Sequence, residues 1–125
     1  MTDSTVSPLR FGRMAPTLAV TDMQVARDFY IDVLGFEIRF ENGDPVGFMI
    51  VKRDAAELHL TLQRAFKPAS FNVAHLLVEG VDELHARIAA HGCRILKGIR
   101  DKEFGLRAFV FEDPFGNRID VGEPL

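Results

Sequence analysis

The sequence contains a single cysteine and no long apolar run, and both scarcities limit what the protein can be. Cys93 has no second cysteine to pair with, so the chain forms no internal disulfide, as is typical of a reducing compartment. No stretch could span a bilayer, and the N-terminal MTDSTVSP lacks the basic start and apolar run of a signal peptide. We therefore expect a cytoplasmic protein without a membrane partner.

An excess of positive charge is also missing. Fifteen basic side chains stand against eighteen acidic ones and give a formal charge of -3, whereas a nucleic-acid-binding protein needs a strongly basic face. We therefore expect no nucleic-acid partner. Hydrophobic residues make up 47% and charged residues 26% of the 125 residues, which is typical of one globular domain.

The aromatic residues are nearly all phenylalanine, since eleven Phe accompany one Tyr and no Trp. Four of these phenylalanines fall within EFGLRAFVFEDPFGNRIDV, at 103–121. Because large rings are usually buried in folded proteins, we expect most of them, including Phe109 and Phe111, to lie in the core.

An internal repeat organises the chain. Each half reads as a strand, an amphipathic helix and three further strands, with about fifty residues per copy. The first helix is predicted to open at the capping box Thr21-Asp22-Met23-Gln24 and to end at Gly35, and the second to end at Gly92. Either Phe29 or Tyr30 is expected on the buried face of the first helix. The predicted strands are 17–20, 36–40, 46–51 and 57–63 in the first half, and 73–78, 94–97, 107–112 and 118–121 in the second.

One predicted strand carries a polar row. In ELHLTLQ, at 57–63, the leucines point to one side and Glu57, His59, Thr61 and Gln63 point to the other. Because the single helix of each half can cover only one face of its sheet, the polar row should lie on the uncovered face. That face must meet the other half, a partner chain or a ligand, and it is a candidate binding surface.

Two groups of residues resemble a known superfamily. The first is VTD at 20–22, followed by ARDFY at 26–30 and VLGF at 33–36, and the second is DPFGN at 113–117. Together they resemble the vicinal oxygen chelate superfamily, which includes glyoxalases, extradiol dioxygenases, fosfomycin-resistance enzymes and bleomycin-resistance proteins. The resemblance implies one α+β domain, 1–125, of two tandem βαβββ modules with curved mixed sheets and a concave cleft. The modules would span about 14–64 and 72–122, with a linker at about 65–71.

Within this superfamily the chain is most similar to bleomycin-resistance proteins. The similarity lies in MAP at 14–16, EGVDEL at 79–84 and EFGLR at 103–107. It implies a homodimer with ligand grooves between the subunits, in which Pro16 is the hinge of an N-terminal arm exchanged with the partner. A frayed polar tail is the alternative interpretation of the arm.

The resemblance also implies where a metal would bind. Catalytic members hold a divalent ion with side chains of four strands, and these positions match Ala15, His59, Val73 and Asp120. Because Ala15 and Val73 have no electron pair to donate, too few ligands remain for a catalytic site. We therefore predict no metal, no cofactor and no catalytic residue.

A shifted strand register would leave a fallback donor set. If a metal does bind, His59, His75 and Asp120 are expected to hold it, with Glu57 close enough in sequence to contribute. His75 lies between apolar neighbours, so a hydrogen-bonded core histidine is the competing interpretation.

The similarity to the resistance proteins further implies a set of ligand-binding residues. Phe40 and Phe104 match aromatic positions of the cleft, and a flat ligand stacked on such rings gains about 0.5–1.5 kcal/mol per pair. Acidic groups would suit a cationic ligand, although ordinary solvated surface is the alternative. The predicted ligand-binding residues are Phe40, Glu57, His59, His75, Glu103, Phe104 and Asp120.

Three functional hypotheses follow. The first is reversible sequestration of a small, partly aromatic and cationic molecule, as in bleomycin-type antibiotic resistance. The second is a metal-dependent lyase, isomerase or dioxygenase of the glyoxalase and dioxygenase type. The third is a member that has lost both roles and only dimerises. No nucleophile elbow or phosphate-binding glycine loop supports other chemistry.

Overall fold

The computed structural model describes residues 7–125, so the first six residues of the predicted arm lie outside the described residues. The first module consists of β1 (Thr17–Val20), α1 (Met23–Arg27) with a π-helical continuation (Asp28–Val33), β2 (Glu37–Gly43), β3 (Val46–Arg53) and β4 (Ala56–Leu62). The second consists of β5 (Asn72–Leu77), α2 (Val81–His91), β6 (Ile95–Asp101), β7 (Leu106–Glu112) and β8 (Arg118–Pro124). The predicted α+β fold of two βαβββ modules is confirmed. Neither helix is long and apolar enough to cross a membrane.

Each module forms its own four-stranded mixed sheet. The strand orders are β1-β4-β3-β2 and β5-β8-β7-β6, so the two halves have the same topology. In each sheet the first and last strands of the module pair in parallel, and the other pairs are antiparallel. The internal repeat predicted from the sequence therefore corresponds to two modules with the same fold.

A hydrophobic core runs through both modules. The inward side chains of β4 and β7, including Leu60, Phe109 and Phe111, are buried in one cluster with residues of both helices. Phe29 of the first module lies 6.2 Å from Phe111 of the second, measured between ring centroids. The prediction that Phe109 and Phe111 are core residues is confirmed.

The first helix begins one residue later than the predicted capping box. Asp22, not Thr21, is the N-cap, and its Oδ1 accepts hydrogen bonds from the backbone N–H groups of Gln24 at 2.9 Å and Val25 at 3.1 Å. The side chain of Gln24 donates instead to Asp28, at 2.9 Å. A carboxylate is the stronger acceptor at the positive end of a helix, which explains why it displaces the threonine.

The π-helical segment resolves which aromatic side chain of the first helix is buried. The backbone N–H of Leu34 donates to the carbonyl of Phe29 at 3.0 Å, a bond that spans five residues instead of four. This wider turn brings adjacent side chains to one side, and both Phe29 and Tyr30 are fully buried. Gly35 then ends the helix with φ of +76°, as predicted.

The turn DPFGN does more than join β7 to β8. Asp113 is only 4% exposed, and its carboxylate accepts from the Tyr30 hydroxyl at 2.7 Å and from the Asn117 side chain at 2.9 Å. The same Asn117 amide donates to the backbone carbonyl of Ala19 in β1, at 2.9 Å. The turn therefore ties the second module to the first through buried hydrogen bonds.

Candidate functional site

The alternation of β4 divides its side chains as the sequence indicates. Leu58 and Leu60 are buried, whereas Glu57 and His59 are partly exposed on the opposite face. This face carries no helix, because the helix of the module packs on the leucine side. The polar row therefore lies on an uncovered sheet surface.

Aromatic rings continue the polar row across the first sheet. Phe48 of β3 lies 5.7 Å from the ring of His59 and 6.3 Å from Phe40 of β2, both with edge-to-face geometry. Phe40, on the edge strand, is 50% exposed. We call Phe40, Phe48 and His59 the aromatic row.

Phe48 was not among the residues predicted from the sequence. Its neighbour Met49 is buried, so the alternation of β3 places Phe48 on the uncovered side. That signal was present in the sequence, but only the pairing of Phe48 with Thr61 shows that it shares the surface of the β4 polar row.

Glu57 is the centre of a charged group at one end of the row. Its Oε2 accepts a hydrogen bond from His59 Nε2 at 2.8 Å, and its Oε1 accepts one from Arg13 Nε at 2.7 Å. Because an ionised carboxylate only accepts, the histidine must be the donor. These hydrogen bonds, that of His59 first, lower the pKa of Glu57 below its ordinary value, so the group is anionic at neutral pH. Arg13 was not predicted, since nothing in the sequence relates the arm to β4.

The second sheet carries a similar pair on its own strands. His75 of β5 and Asp120 of β8 are register partners, and His75 Nδ1 lies 2.5 Å from Asp120 Oδ2. The histidine is exposed and not buried in the core. Gly122 leaves room beside this pair, because a Cβ there would lie 3.6 Å from the His75 ring and 3.0 Å from Leu106.

The remaining predicted residues, Glu103 and Phe104, lie in the turn between β6 and β7. Phe104 is 67% exposed, beside Gly105 with φ of +89°. Among the residues that the structure describes, neither side chain forms a hydrogen bond, ion pair or ring contact with the two histidine–carboxylate pairs. The fold thus brings Phe40, Glu57 and His59 onto one sheet and His75 and Asp120 onto the other.

A cavity between the modules connects the two sheets. Its volume is about 300 Å³, and both Glu57 and His75 line it, together with Met14 and Pro16 of the arm. Most of the remaining lining is apolar and includes Leu34, Phe36, Leu58, Leu76, Phe111 and Ile119. A neighbouring cavity of about 430 Å³, on the α2 side, contains none of the predicted site residues.

The donors present do not fit the metal that the superfamily implies. Two of the four positions that the resemblance assigns to the metal, Ala15 and Val73, have no electron pair to donate. Within residues 7–125 of one chain, no three His, Cys, Asp or Glu side chains come close enough to hold an ion.

Two repeated modules, each with one uncovered polar face, define the paired βαβββ class of proteins. The family model described as Glyoxalase/Bleomycin resistance protein/Dioxygenase superfamily matches residues 10–121, and the chain belongs to this superfamily. The resemblance seen in the motifs at 20–36 and 113–117 is thereby confirmed. None of the curated proteins matches the chain.

Solved structures share the fold over nearly the whole chain. TnmS3, an antibiotic-binding protein from Streptomyces sp. CB03234, is 26% identical with a TM-score of 0.70, covering 94% of this chain and 100% of its own. A bleomycin-binding protein complexed with bleomycin is 22% identical, with a TM-score of 0.75 and coverage of 92% and 100%. A lactoylglutathione lyase from Agrobacterium tumefaciens is 23% identical, with a TM-score of 0.70 and coverage of 90% and 92%. The last two likenesses concern the fold alone, and together they show that this fold serves both binders and enzymes.

Proposed function

We propose that this protein binds a small, partly aromatic and cationic molecule reversibly and acts by sequestering it in the cytoplasm, as in antibiotic resistance by binding. The observation that carries the proposal is the position of Glu57 at the end of the aromatic row, on a sheet face that no helix covers. A carboxylate beside a row of aromatic rings offers both charge and apolar surface to one ligand.

The chemistry of the site suits binding better than catalysis. Glu57 is held in its anionic form, so it can attract a cation without taking up a proton. The exposed edge of Phe40 and the ring of Phe48 offer about 0.5–1.5 kcal/mol per stacked ligand ring. Sequestration needs only affinity and enough protein, so it is compatible with an alanine and a valine at the two metal positions.

A homodimer would complete the groove. On a single chain several large apolar side chains are exposed, and such surface is typical of an interface or a ligand groove. They include Leu9, Phe11 and Met14 of the arm, Phe40 and Leu77 on the strands, and Phe104 in the turn before β7. We propose that the uncovered faces of two subunits meet around the ligand, with Glu103 and Phe104 at the rim. The fold of one chain does not test the exchange of the arm at Pro16, which stays a prediction.

Equilibrium titration with a bleomycin-class compound tests the proposed ligand. We expect saturable binding, and we expect Phe48→Leu to weaken it about two- to tenfold because one stacking contact is lost. Phe71→Leu is the matched control, since Phe71 is an exposed phenylalanine outside both sheets. Absence of binding at high micromolar ligand would exclude bleomycin-class compounds as the ligand. An equal loss of affinity in both variants would show that Phe48 has no special role.

The rival function, a metal-dependent enzyme, is favoured by one observation. Each uncovered face carries a histidine with a carboxylate, His59 with Glu57 and His75 with Asp120, and facing subunits could bring such pairs together. Metal analysis of protein purified without chelator distinguishes the two functions. Stoichiometric Ni, Zn, Mn or Fe would favour the enzyme, whereas substoichiometric metal together with bleomycin-class binding would favour sequestration.

A further inference from the structure

We propose that Glu57 is a subsite for an amidinium or guanidinium group, and that Arg13 of the N-terminal arm occupies this subsite when no ligand is bound. The inference rests on the proposed function, because it specifies which part of the ligand Glu57 would bind. It also assigns a role to the arm, namely that of an internal competitor.

Both oxygens of Glu57 already accept hydrogen bonds, and Oε1 is held by Arg13 alone. Oε1 accepts from Arg13 Nε at 2.7 Å and lies 2.5 Å from Arg13 Nη2, while Oε2 accepts from His59. A planar cation that makes two hydrogen bonds, one to each oxygen, must therefore replace Arg13 at Oε1. The ligand group would resemble the group it replaces, because an amidinium and the Arg13 guanidinium are both planar sets of N–H donors.

Exposure shows which partner of the ion pair can leave. The side chain of Arg13 is 59% exposed, whereas that of Glu57 is only 14% exposed. The chain is anchored three residues later, where the backbone N–H of His59 donates to the carbonyl of Pro16 at 3.0 Å. Arg13 can consequently move into solvent without any change in the sheet.

The surroundings of Glu57 define the rest of the ligand. The same residue lines the apolar cavity of about 300 Å³ between the modules, a volume at the small end of the range for ligand pockets. A single aromatic ring placed there would put an attached amidinium at Glu57. A planar group that makes two parallel hydrogen bonds to the carboxylate is favoured over a simple ammonium, which is a point charge.

Fluorescence titration with 4-aminobenzamidine tests the inference, with neutral 4-aminobenzamide as the matched ligand. We expect Arg13→Gln to tighten amidine binding about three- to fivefold, the strength of competition that an exposed ion pair provides. Glu57→Gln should weaken amidine binding about tenfold, because a hydrogen-bonded charge is lost. In the double variant, the Arg13 substitution should have no further effect. The amide should respond to neither change.

Arg10→Gln is the control for charge alone. Arg10 lies on the same arm and forms no ion pair within the described part of the chain. If it tightens amidine binding as much as Arg13→Gln does, or if Arg13→Gln has no effect, the inference is overturned. Failure of Arg13→Gln to bind the amidine at all would overturn it as well.

A second measurement does not depend on affinity. In NMR spectra the Arg13 Nε–H signal should be protected in the wild type, lost in Glu57→Gln, and shifted to the solvent-exposed value when 4-aminobenzamidine is added. Retention of the protected signal in the bound state would contradict displacement. If bleomycin-class binding persists while Arg13 does not respond, the proposed function stands and only this inference fails.

Discussion

Substitution of Tyr30 by phenylalanine removes one hydroxyl from the contact between the two modules. That hydroxyl donates to Asp113 Oδ2 at 2.7 Å, and both residues are buried. Phenylalanine keeps the ring and its edge-to-face contacts with Phe29 and Phe36, at 5.0 and 6.1 Å between centroids. The variant therefore tests the hydrogen bond with little change in packing.

The magnitude follows from what Asp113 retains. Its carboxylate still accepts from the backbone N–H groups of Phe115 at 2.9 Å and Asn117 at 2.8 Å, and from the Asn117 side chain. It is thus weakened but not left unpaired. A hydrogen bond to a charged group contributes about 1.5–3 kcal/mol, so we expect a loss of about 2 kcal/mol in the free energy of unfolding at pH 7. For a domain of this size, that lowers Tm by about 8 °C.

The loss should depend on pH. Burial raises the pKa of Asp113 above its ordinary value, and the hydrogen bonds from Tyr30 and Asn117 oppose that rise. Removal of the Tyr30 hydroxyl therefore raises the pKa of Asp113 further. A carboxyl whose folded pKa exceeds its unfolded pKa destabilises the fold once the pH rises above the unfolded value, near 4. The penalty of Tyr30→Phe is thus expected to grow from about pH 4 to pH 7.

Urea denaturation of both proteins at pH 4 and pH 7 measures the difference. The wild type offers a direct spectroscopic check, because Tyr30 is its only tyrosine and tryptophan is absent. Burial, followed by the charge of Asp113, raises the pKa of Tyr30 well above its ordinary value, so phenolate absorbance should appear only as the protein unfolds. Ionisation near pH 10 in a folded protein, or a penalty that is larger at pH 4, would refute the reasoning.

Two further pairs of variants test local features by urea denaturation. Asp22→Ala should lower the free energy of unfolding by about 1 kcal/mol, because Asp22 is the N-cap, whereas Thr21→Ala should change it by less than about 0.5 kcal/mol; equal losses would contradict the cap assignment. Gly116→Ala should cost more than about 1 kcal/mol, since φ is +88° and a Cβ would lie 2.8 Å from the Pro68 side chain. Gly98→Ala, which meets open space at an ordinary φ, should stay within about 0.5 kcal/mol, and a comparable loss there would refute the strain argument.

The fold was largely predictable because its signals are local and repeated. Each signal depends on neighbours within a few residues. The signals are the alternation in β4, the helical spacing after Asp22 and the glycines at the helix ends. The first and last residues of the strands were less predictable. β6 extends over Ile95–Asp101 instead of 94–97, because its pairing with β7 continues through bulges that leave no pattern in the sequence.

The candidate site was predictable only where one strand could be read alone. Glu57 and His59 lie two residues apart on β4, so alternation placed them on one face without knowledge of the rest. Arg13 contacts Glu57 from 44 residues away in the chain, and Phe48 reaches the same face through the pairing of β3 with β4. The sequence specifies neither contact. The hydrogen bond between Tyr30 and Asp113, which are 83 residues apart, was not predicted for the same reason.

The distribution of these residues explains why the motifs identify the superfamily and not the activity. Asp113 and Asn117 of the DPFGN turn are buried and hold the two modules together, so changing them would cost stability in a binder and in an enzyme alike. The side chains of the uncovered faces, such as the exposed His75, lie outside the core and can change with small effect on the fold. A chain of this family can therefore carry alanine at 15 and valine at 73, keep every motif that marks the fold, and still exchange one chemistry for another. The motifs thus serve the fold alone, and the activity depends on side chains that the fold does not require.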